Sequence, residues 1–333
     1  MLEHIMDDNL IPRPIGQIVL ASALAVAIAS TLHQQAGEQA VAPSLTDPNT
    51  ELLQLEEERH QRLTLPVSIE GVGPFDFMID TGSQATVVTH ELNERLGLTN
   101  AGTGVVIGMA SRREVELVEL DGLKFGSRTI DGLTAPVLER DHIGADGIIG
   151  LDSLQDMRVL FDFREKTIAV ADVDEKTSDR GFEIIVRAQP KLGQLLITKA
   201  YVEGVRATVI IDTGAQATLG NLALRDKVRK RRAEQDVITT DVNGVSLTTP
   251  LTFARSLKIQ GLELKNVPIT YADAPAFHAL GLSDEPVLSL GMQHLEAFDR
   301  VAIDFNKRRV LFDLPSSANS PGLMRRKDVT RLK

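Results

Sequence analysis

The sequence contains no cysteine among its 333 residues. That absence removes disulfide staples, thiol nucleophiles, iron–sulfur clusters and thiolate zinc sites together. It leaves the compartment open, since exported proteins also do without cysteine. Aromatic residues are scarce, with no tryptophan, two tyrosines and eleven phenylalanines, so no base-stacking platform for nucleic acid is expected. Positive charge is also short. Lys and Arg number 36 against 46 Asp and Glu, and the formal net charge of −10 has the wrong sign for a broad nucleic-acid footprint. The seven histidines show no metal-ligand spacing, and neither a Gly-x-Ser-x-Gly elbow nor a phosphate loop occurs. No metal and no cofactor is therefore expected. The basic runs Lys227–Arg232 and Met324–Lys333 read as a solvated helical face and part of a basic tail, residues 316–333.

Charge is missing in one place for a different reason. Between Arg13 and Glu38 no residue carries a full charge, and residues 15–32 are mostly Ile, Val, Leu and Ala. The strongest stretch, Ile18–Ile28, has the length of a secretory h-region, and the small-residue triplets Ala25-Val26-Ala27 and Ala40-Val41-Ala42 suit a signal peptidase. An uncleaved anchor formed by residues 15–32 is the rival reading. Residues 1–42 are thus expected to be a signal peptide or membrane anchor, and residues 43–59 a linker.

An internal repeat organises the rest. Ile79-Asp-Thr-Gly-Ser-Gln-Ala-Thr86 recurs 132 residues later as Ile211-Asp-Thr-Gly-Ala-Gln-Ala-Thr218, with seven of eight positions identical. Apolar, β-branched runs lead into both copies, Phe75–Ile79 and Ala207–Ile211, as buried strands would. Each copy is followed by a hydrophobic run ending in glycine, Gly147-Ile-Ile-Gly150 and Val287-Leu-Ser-Leu-Gly291. Each then closes on a matching segment, Val159-Leu-Phe-Asp-Phe163 and Val301-Ala-Ile-Asp-Phe305. Two β-rich lobes follow, residues 60–172 and 182–315, joined by a polar linker, with helices expected over His90–Leu98 and Asn221–Glu234.

The repeated tripeptide has a chemical logic. Gly82 and Gly214 allow tight turns and close backbone approach. Thr81 and Thr213 can hydrogen-bond across a lobe interface. Bringing the turns together sets Asp80 beside Asp212, and adjacent carboxylates share a proton, one serving as base and the other as acid. A water held between them could then attack a peptide carbonyl.

On these residues the lobes resemble aspartic proteases of the retropepsin-like class. In that class Asp-[Thr/Ser]-Gly-[Ala/Ser/Thr] is followed by a hydrophobic-hydrophobic-Gly element packed beneath it. The resemblance implies an all-β, bilobal fold of two pseudo-symmetric β-barrel lobes, each with a short helix. It implies an exported bacterial aspartic endopeptidase acting on a peptide or protein substrate, in the periplasm or elsewhere outside the cytoplasm, or held at the inner membrane. Asp80 and Asp212 would be catalytic, with Thr81, Gly82, Ser83, Thr213, Gly214 and Ala215 as supporting turns. Pairing of the lobes within one chain is expected over a homodimer. A catalytically silent peptide-binding or scaffold protein on the same lobes is the alternative. Candidate substrate-binding flaps carry Ile107, Gly108 and Met109 in the first lobe and Val242, Asn243 and Gly244 in the second. Asn243-Gly244 signals a two-residue hairpin. The difference between Ser83 and Ala215 suggests that a hydroxyl favours ionisation of Asp80, leaving the shared proton on Asp212.

Overall fold

The computed structural model describes residues 63–171, 179–228 and 235–315, with the short strands Gln17–Val19, Ala25–Ala27 and Val329–Arg331. The expected linker at 43–59, the end of the second expected helix and most of the basic tail lie outside these residues.

In the first lobe, Thr64–Ile69 and Val72–Ile79 form an antiparallel hairpin. Its turn is Glu70-Gly71, both at positive φ (49° and 81°), as a two-residue turn matched to strand twist requires. The second lobe repeats the device, with Gln194–Val202 and Val205–Ile211 joined by Glu203-Gly204 at φ 49° and 86°. Strand periodicity explains the burial. Phe75, Phe77 and Ile79 lie on one face, in the same hydrophobic cluster as Ala207, Val209 and Ile211. Met78 and Ile210 point the other way into separate smaller clusters. Both strands are thus buried on both faces where they approach the repeated motif.

Each lobe is a long curled sheet. The strand leading to Asp80 pairs in parallel with Gly147–Ile149, and the strand leading to Asp212 pairs in parallel with Val287–Leu290. A five-stranded antiparallel sheet joins the lobes, in the order Thr167–Ala171, Arg158–Asp162, Arg300–Asp304, Arg309–Asp313, Ile184–Arg187. In it the two repeated closing segments lie side by side, and Leu160 faces Ala302, its own repeat counterpart. A pseudo-twofold axis therefore passes between them.

The fold is mostly β and bilobal. A helix at His90–Leu96 is N-capped by Thr89 and ended by left-handed Gly97, and one at Leu222–Lys227 is N-capped by Asn221. Four further helical turns, Arg140–Ile143, Leu151–Leu154, Pro275–Ala279 and Met292–Leu295, go beyond the one helix per lobe expected. At four or five residues they are too short to impose a helical period on the sequence. Among the described residues no helix is long and apolar enough to cross a membrane.

Candidate active site

Asp80 and Asp212 begin the turns that follow the two buried strands, and both are fully buried. Asp80 Oδ1 accepts hydrogen bonds from the backbone N–H groups of Gly82 (2.8 Å) and Ser83 (3.0 Å). Asp212 Oδ1 accepts from the N–H of Ala215 at 3.1 Å. The turns are locked across the lobes by their threonines. Thr81 N–H donates to Thr213 Oγ1 (3.1 Å) and Thr213 N–H to Thr81 Oγ1 (3.2 Å). Thr81 Oγ1 donates to the carbonyl of Ile211 (2.7 Å) and Thr213 Oγ1 to that of Ile79 (2.8 Å). Reciprocal contacts of this kind mark the pseudo-twofold axis a second time. Gly214 lies so close that a Cβ there would overlap the Asp80 carboxylate, which is why a glycine is required.

The Ser83 hydroxyl does not serve Asp80, contrary to the sequence expectation. It donates to the carbonyl of Ala85 at 2.7 Å and closes its own turn. A hydroxyl reaches the other carboxylate instead: Ser289 Oγ donates to Asp212 Oδ2 at 2.6 Å. The position matching Ser289 in the first lobe is Ile148, which is buried in an apolar cluster.

Beneath the turns, Gly150 and Gly291 pack against the carbonyls of Ala85 and Ala217, and a Cβ at either would collide with backbone. Their N–H groups donate to Thr86 Oγ1 (3.2 Å) and Thr218 Oγ1 (3.0 Å), the last residues of the two motif copies. The hydroxyls then diverge. Thr86 contacts Asp152 and Ser153, and burial raises the Asp152 carboxyl above its usual range against the hydrogen bonds it accepts. Thr218 contacts His294 Nδ1 at 2.6 Å. Burial pushes the His294 imidazole down to about 3, so it is neutral, and the Thr218 oxygen also accepts from Gly291 N–H. His294 therefore packs beneath the aspartate turns.

The flap residues lie on two hairpins. The first pairs Asn100–Ile107 with Arg112–Leu120, and the second pairs Gln235–Thr240 with Ser246–Ile259. Asn243-Gly244 is not a two-residue turn. Only Gly244 has positive φ (79°), and the loop is closed by Asp241 N–H to the Val245 carbonyl at 3.0 Å. The cause is Asp241, whose Oδ1 accepts from the N–H groups of Asn243 (3.0 Å) and Val245 (3.1 Å). Its Oδ2 reaches the other flap, accepting from Ala110 N–H (3.1 Å) and Ser111 Oγ (2.7 Å). Asn243 Nδ2 also donates to Ser111 Oγ at 3.0 Å. Gly108 fits against the Asp241 carboxylate, where a Cβ would not. The tips also exchange partners: Ile107 and Met109 pack in a cluster with Ala215, whereas Val242 packs with Met78 and Ile148.

Four features were missed in the sequence: Ser289, Asp241, the threonine pair Thr86 and Thr218, and Gln194. Buried Gln194 donates to the Gly82 carbonyl at 3.1 Å. The threonines were legible as the eighth motif position. Ser289 and Gln194 gave no signal, because their partners are distant in sequence. Among the described residues no cluster of His, Asp and Glu is arranged to hold a metal ion.

The family model described as aspartyl protease matches the chain twice, over residues 65–153 and 198–293. Among solved structures, a retropepsin-like aspartic protease from Rickettsia conorii is similar at 24% identity, over 39% of this chain and 87% of that one, with a TM-score of 0.25. No curated protein matches.

Proposed function

The chain belongs to the aspartyl protease family, as two retropepsin-like lobes in one polypeptide, and we propose that it hydrolyses peptide bonds with Asp80 and Asp212 as its catalytic pair. The observation that carries this reading is the reciprocal Thr81–Thr213 lock, which holds the two aspartate turns face to face about the pseudo-twofold axis. Two carboxylates so held share one proton, and their titration belongs to the pair. The Ser289 hydroxyl on Asp212 favours its ionised form and leaves the proton on Asp80. Ionised Asp212 takes a proton from water as the water oxygen bonds to the peptide carbonyl carbon. Asp80 gives its proton to the carbonyl oxygen, forming a gem-diol. Collapse breaks the C–N bond, and the leaving nitrogen takes the proton from Asp212 while a diol hydroxyl returns one to Asp80.

The test uses Asp80→Asn and Asp212→Asn in the purified chain, incubated with a peptide library. Each is expected to lower cleavage by about 10³-fold or more, the scale of losing acid or base catalysis together with charge stabilisation, while keeping the circular dichroism of the parent. Undiminished cleavage in either folded variant would overturn the proposal.

A further inference from the structure

At one edge of the sheet that joins the lobes lies an open pocket of about 670 Å³. Ile185, Arg187 and Ala188 line one side of it, and Lys307, Arg308 and Arg309 line the other. Four of these residues are cationic and none is acidic, in a chain whose formal net charge is −10. The walls are held in place. Gln260 clasps the main chain of Arg187, accepting from its N–H (3.2 Å) and donating to its carbonyl (3.0 Å). Ala188 N–H donates to the Arg308 carbonyl at 2.9 Å, and Lys307 N–H donates to Asp304 Oδ1 at 2.8 Å.

The acidic residues of these elements are engaged elsewhere. Asp179 and Asp304 both bind Arg309, and the Glu183 carboxylate accepts from Leu314 N–H at 2.7 Å. Arg187, Lys307 and Arg308 are exposed, and among the described residues none of the three has an ion-pair partner. The internal repeat shows that this charge is not a requirement of the hairpin. The matching turn of the first lobe reads Arg164-Glu165-Lys166-Thr167, against Asn306-Lys307-Arg308-Arg309 here. The backbones agree, with Lys166 and Arg308 both at positive φ (53° and 51°). Yet the first turn mixes its charges, and Arg164 lies 3.8 Å from Asp299, whereas the second turn is cationic throughout.

Three unpaired cations around one concavity repel one another, and an anion of two or three charges relieves that repulsion. Guanidinium forks match the oxygens of phosphate and carboxylate groups. The volume is that of a small-molecule site. Ile185 and Ala188 supply an aliphatic wall, and no aromatic ring in the lining offers a base a stacking surface. Gln260 already takes the outward main-chain groups of Arg187, which blocks strand addition there.

We infer that this pocket binds a compact, non-aromatic oxyanion of two or three charges, a phosphate or carboxylate compound, through Arg187, Lys307 and Arg308. Arg309, already bound to two aspartates, completes the wall. The inference does not depend on the peptidase reading.

The test is titration calorimetry on the full chain at low ionic strength, with inorganic pyrophosphate and tricarballylate as probes. One-to-one binding of at least one probe is expected, and the tighter of the two identifies the oxyanion. Acetate should bind at least about tenfold more weakly, for want of charge. No binding of either probe, or acetate binding as tightly, would overturn the inference. Lys307→Glu gives the pocket the charge that Glu165 carries at the matching position. It and Arg187→Gln are each expected to weaken the bound probe by about tenfold or more, the worth of a hydrogen bond to a charged group. Both positions are exposed, and unaltered circular dichroism checks the fold. Unchanged affinity in either folded variant would refute the assigned site. Lys166→Gln removes a cation from the first-lobe turn and should leave affinity as it was. Equal weakening there would reveal diffuse attraction to surface charge and sink the pocket. The bound probe should also raise the urea midpoint of the parent but not that of Lys307→Glu, and an equal rise in both would count against the site.

Discussion

At the scale of single residues, the two lobes are unequal where the chemistry would be. Ser289 donates to Asp212, while its counterpart Ile148 has no hydroxyl to offer Asp80. A hydroxyl stabilises the ionised carboxylate, so removing it makes ionisation harder. Ser289→Ala should therefore raise the acidic limb of the pH–rate profile by about one pH unit, the worth of one hydrogen bond. Ser83→Ala, whose hydroxyl serves the Ala85 carbonyl, should leave that limb in place. His294 carries a second prediction. Its folded pKa, about 3 through burial, lies below the unfolded value near 6.5. The unfolded chain thus binds more protons between those limits, and stability falls as pH drops through that window by about 1.4 kcal/mol per unit. Urea midpoints at pH 7 and pH 4 should show the slope, and His294→Gln should flatten it. The meeting of the two aspartate turns was legible because seven of eight motif residues repeat. Ser289 was not, because the repeat is broken at its position and its partner lies 77 residues away.

Among the elements, the two hairpins carrying the expected flap residues were legible from turn chemistry, and their union was not. Glycine and Asn-Gly mark where a chain reverses, but they carry nothing about a carboxylate bridging residues 130 apart. Asp241 also decided the turn, since its side chain caps the loop that Asn243-Gly244 would otherwise have closed in two residues. Replacing it by Ala removes two bonds across the flaps and two within the loop. The expected outcome is a 10- to 100-fold fall in kcat/KM, carried mainly by KM. That corresponds to about 1.5–3 kcal/mol, as for a hydrogen bond to a charged group. Steady-state kinetics on the folded variant check this. An unchanged KM would show that joining the tips does not support substrate binding. The Glu70-Gly71 and Glu203-Gly204 turns carry the opposite lesson. They repeat at matched places and were there to be read, yet glutamate is not a residue that announces positive φ.

The whole molecule is held together by more than its repeat disclosed. One hydrophobic cluster runs from Phe75 and Phe77 of the first lobe to Val301 and Phe312 of the second. The closing segments were legible as strands, but not as partners of each other. Asp179, in what read as a mere linker, ties the lobes. Its carboxylate is paired with Arg309 of the second lobe (2.7 and 2.8 Å) and Arg158 of the first (2.9 Å). Burial alone would raise the Asp179 carboxyl, and the two guanidinium groups outweigh it and hold it below its usual value. The pairing therefore contributes above the unfolded pKa near 3.9 and is lost as pH falls through the lower folded value. Asp179→Ala takes one partner from Arg158 and from Arg309, which keeps Asp304, and with solvent screening at the partly exposed Asp179 should cost about 1 kcal/mol at pH 7, read from urea denaturation. A variant as stable as the parent would mean that the sheet joins the lobes without help from charge. Joined by that sheet at the base and by Asp241 at the tips, the chain forms a bracelet fastened in two places around the aspartates. A bracelet is threaded or unclasped, never slipped on from the side. For the proposed peptidase, a short peptide with a free end would enter by threading, whereas a macrocycle or a loop between folded domains would wait for the clasp, and the rate of unclasping would set how fast large substrates are captured.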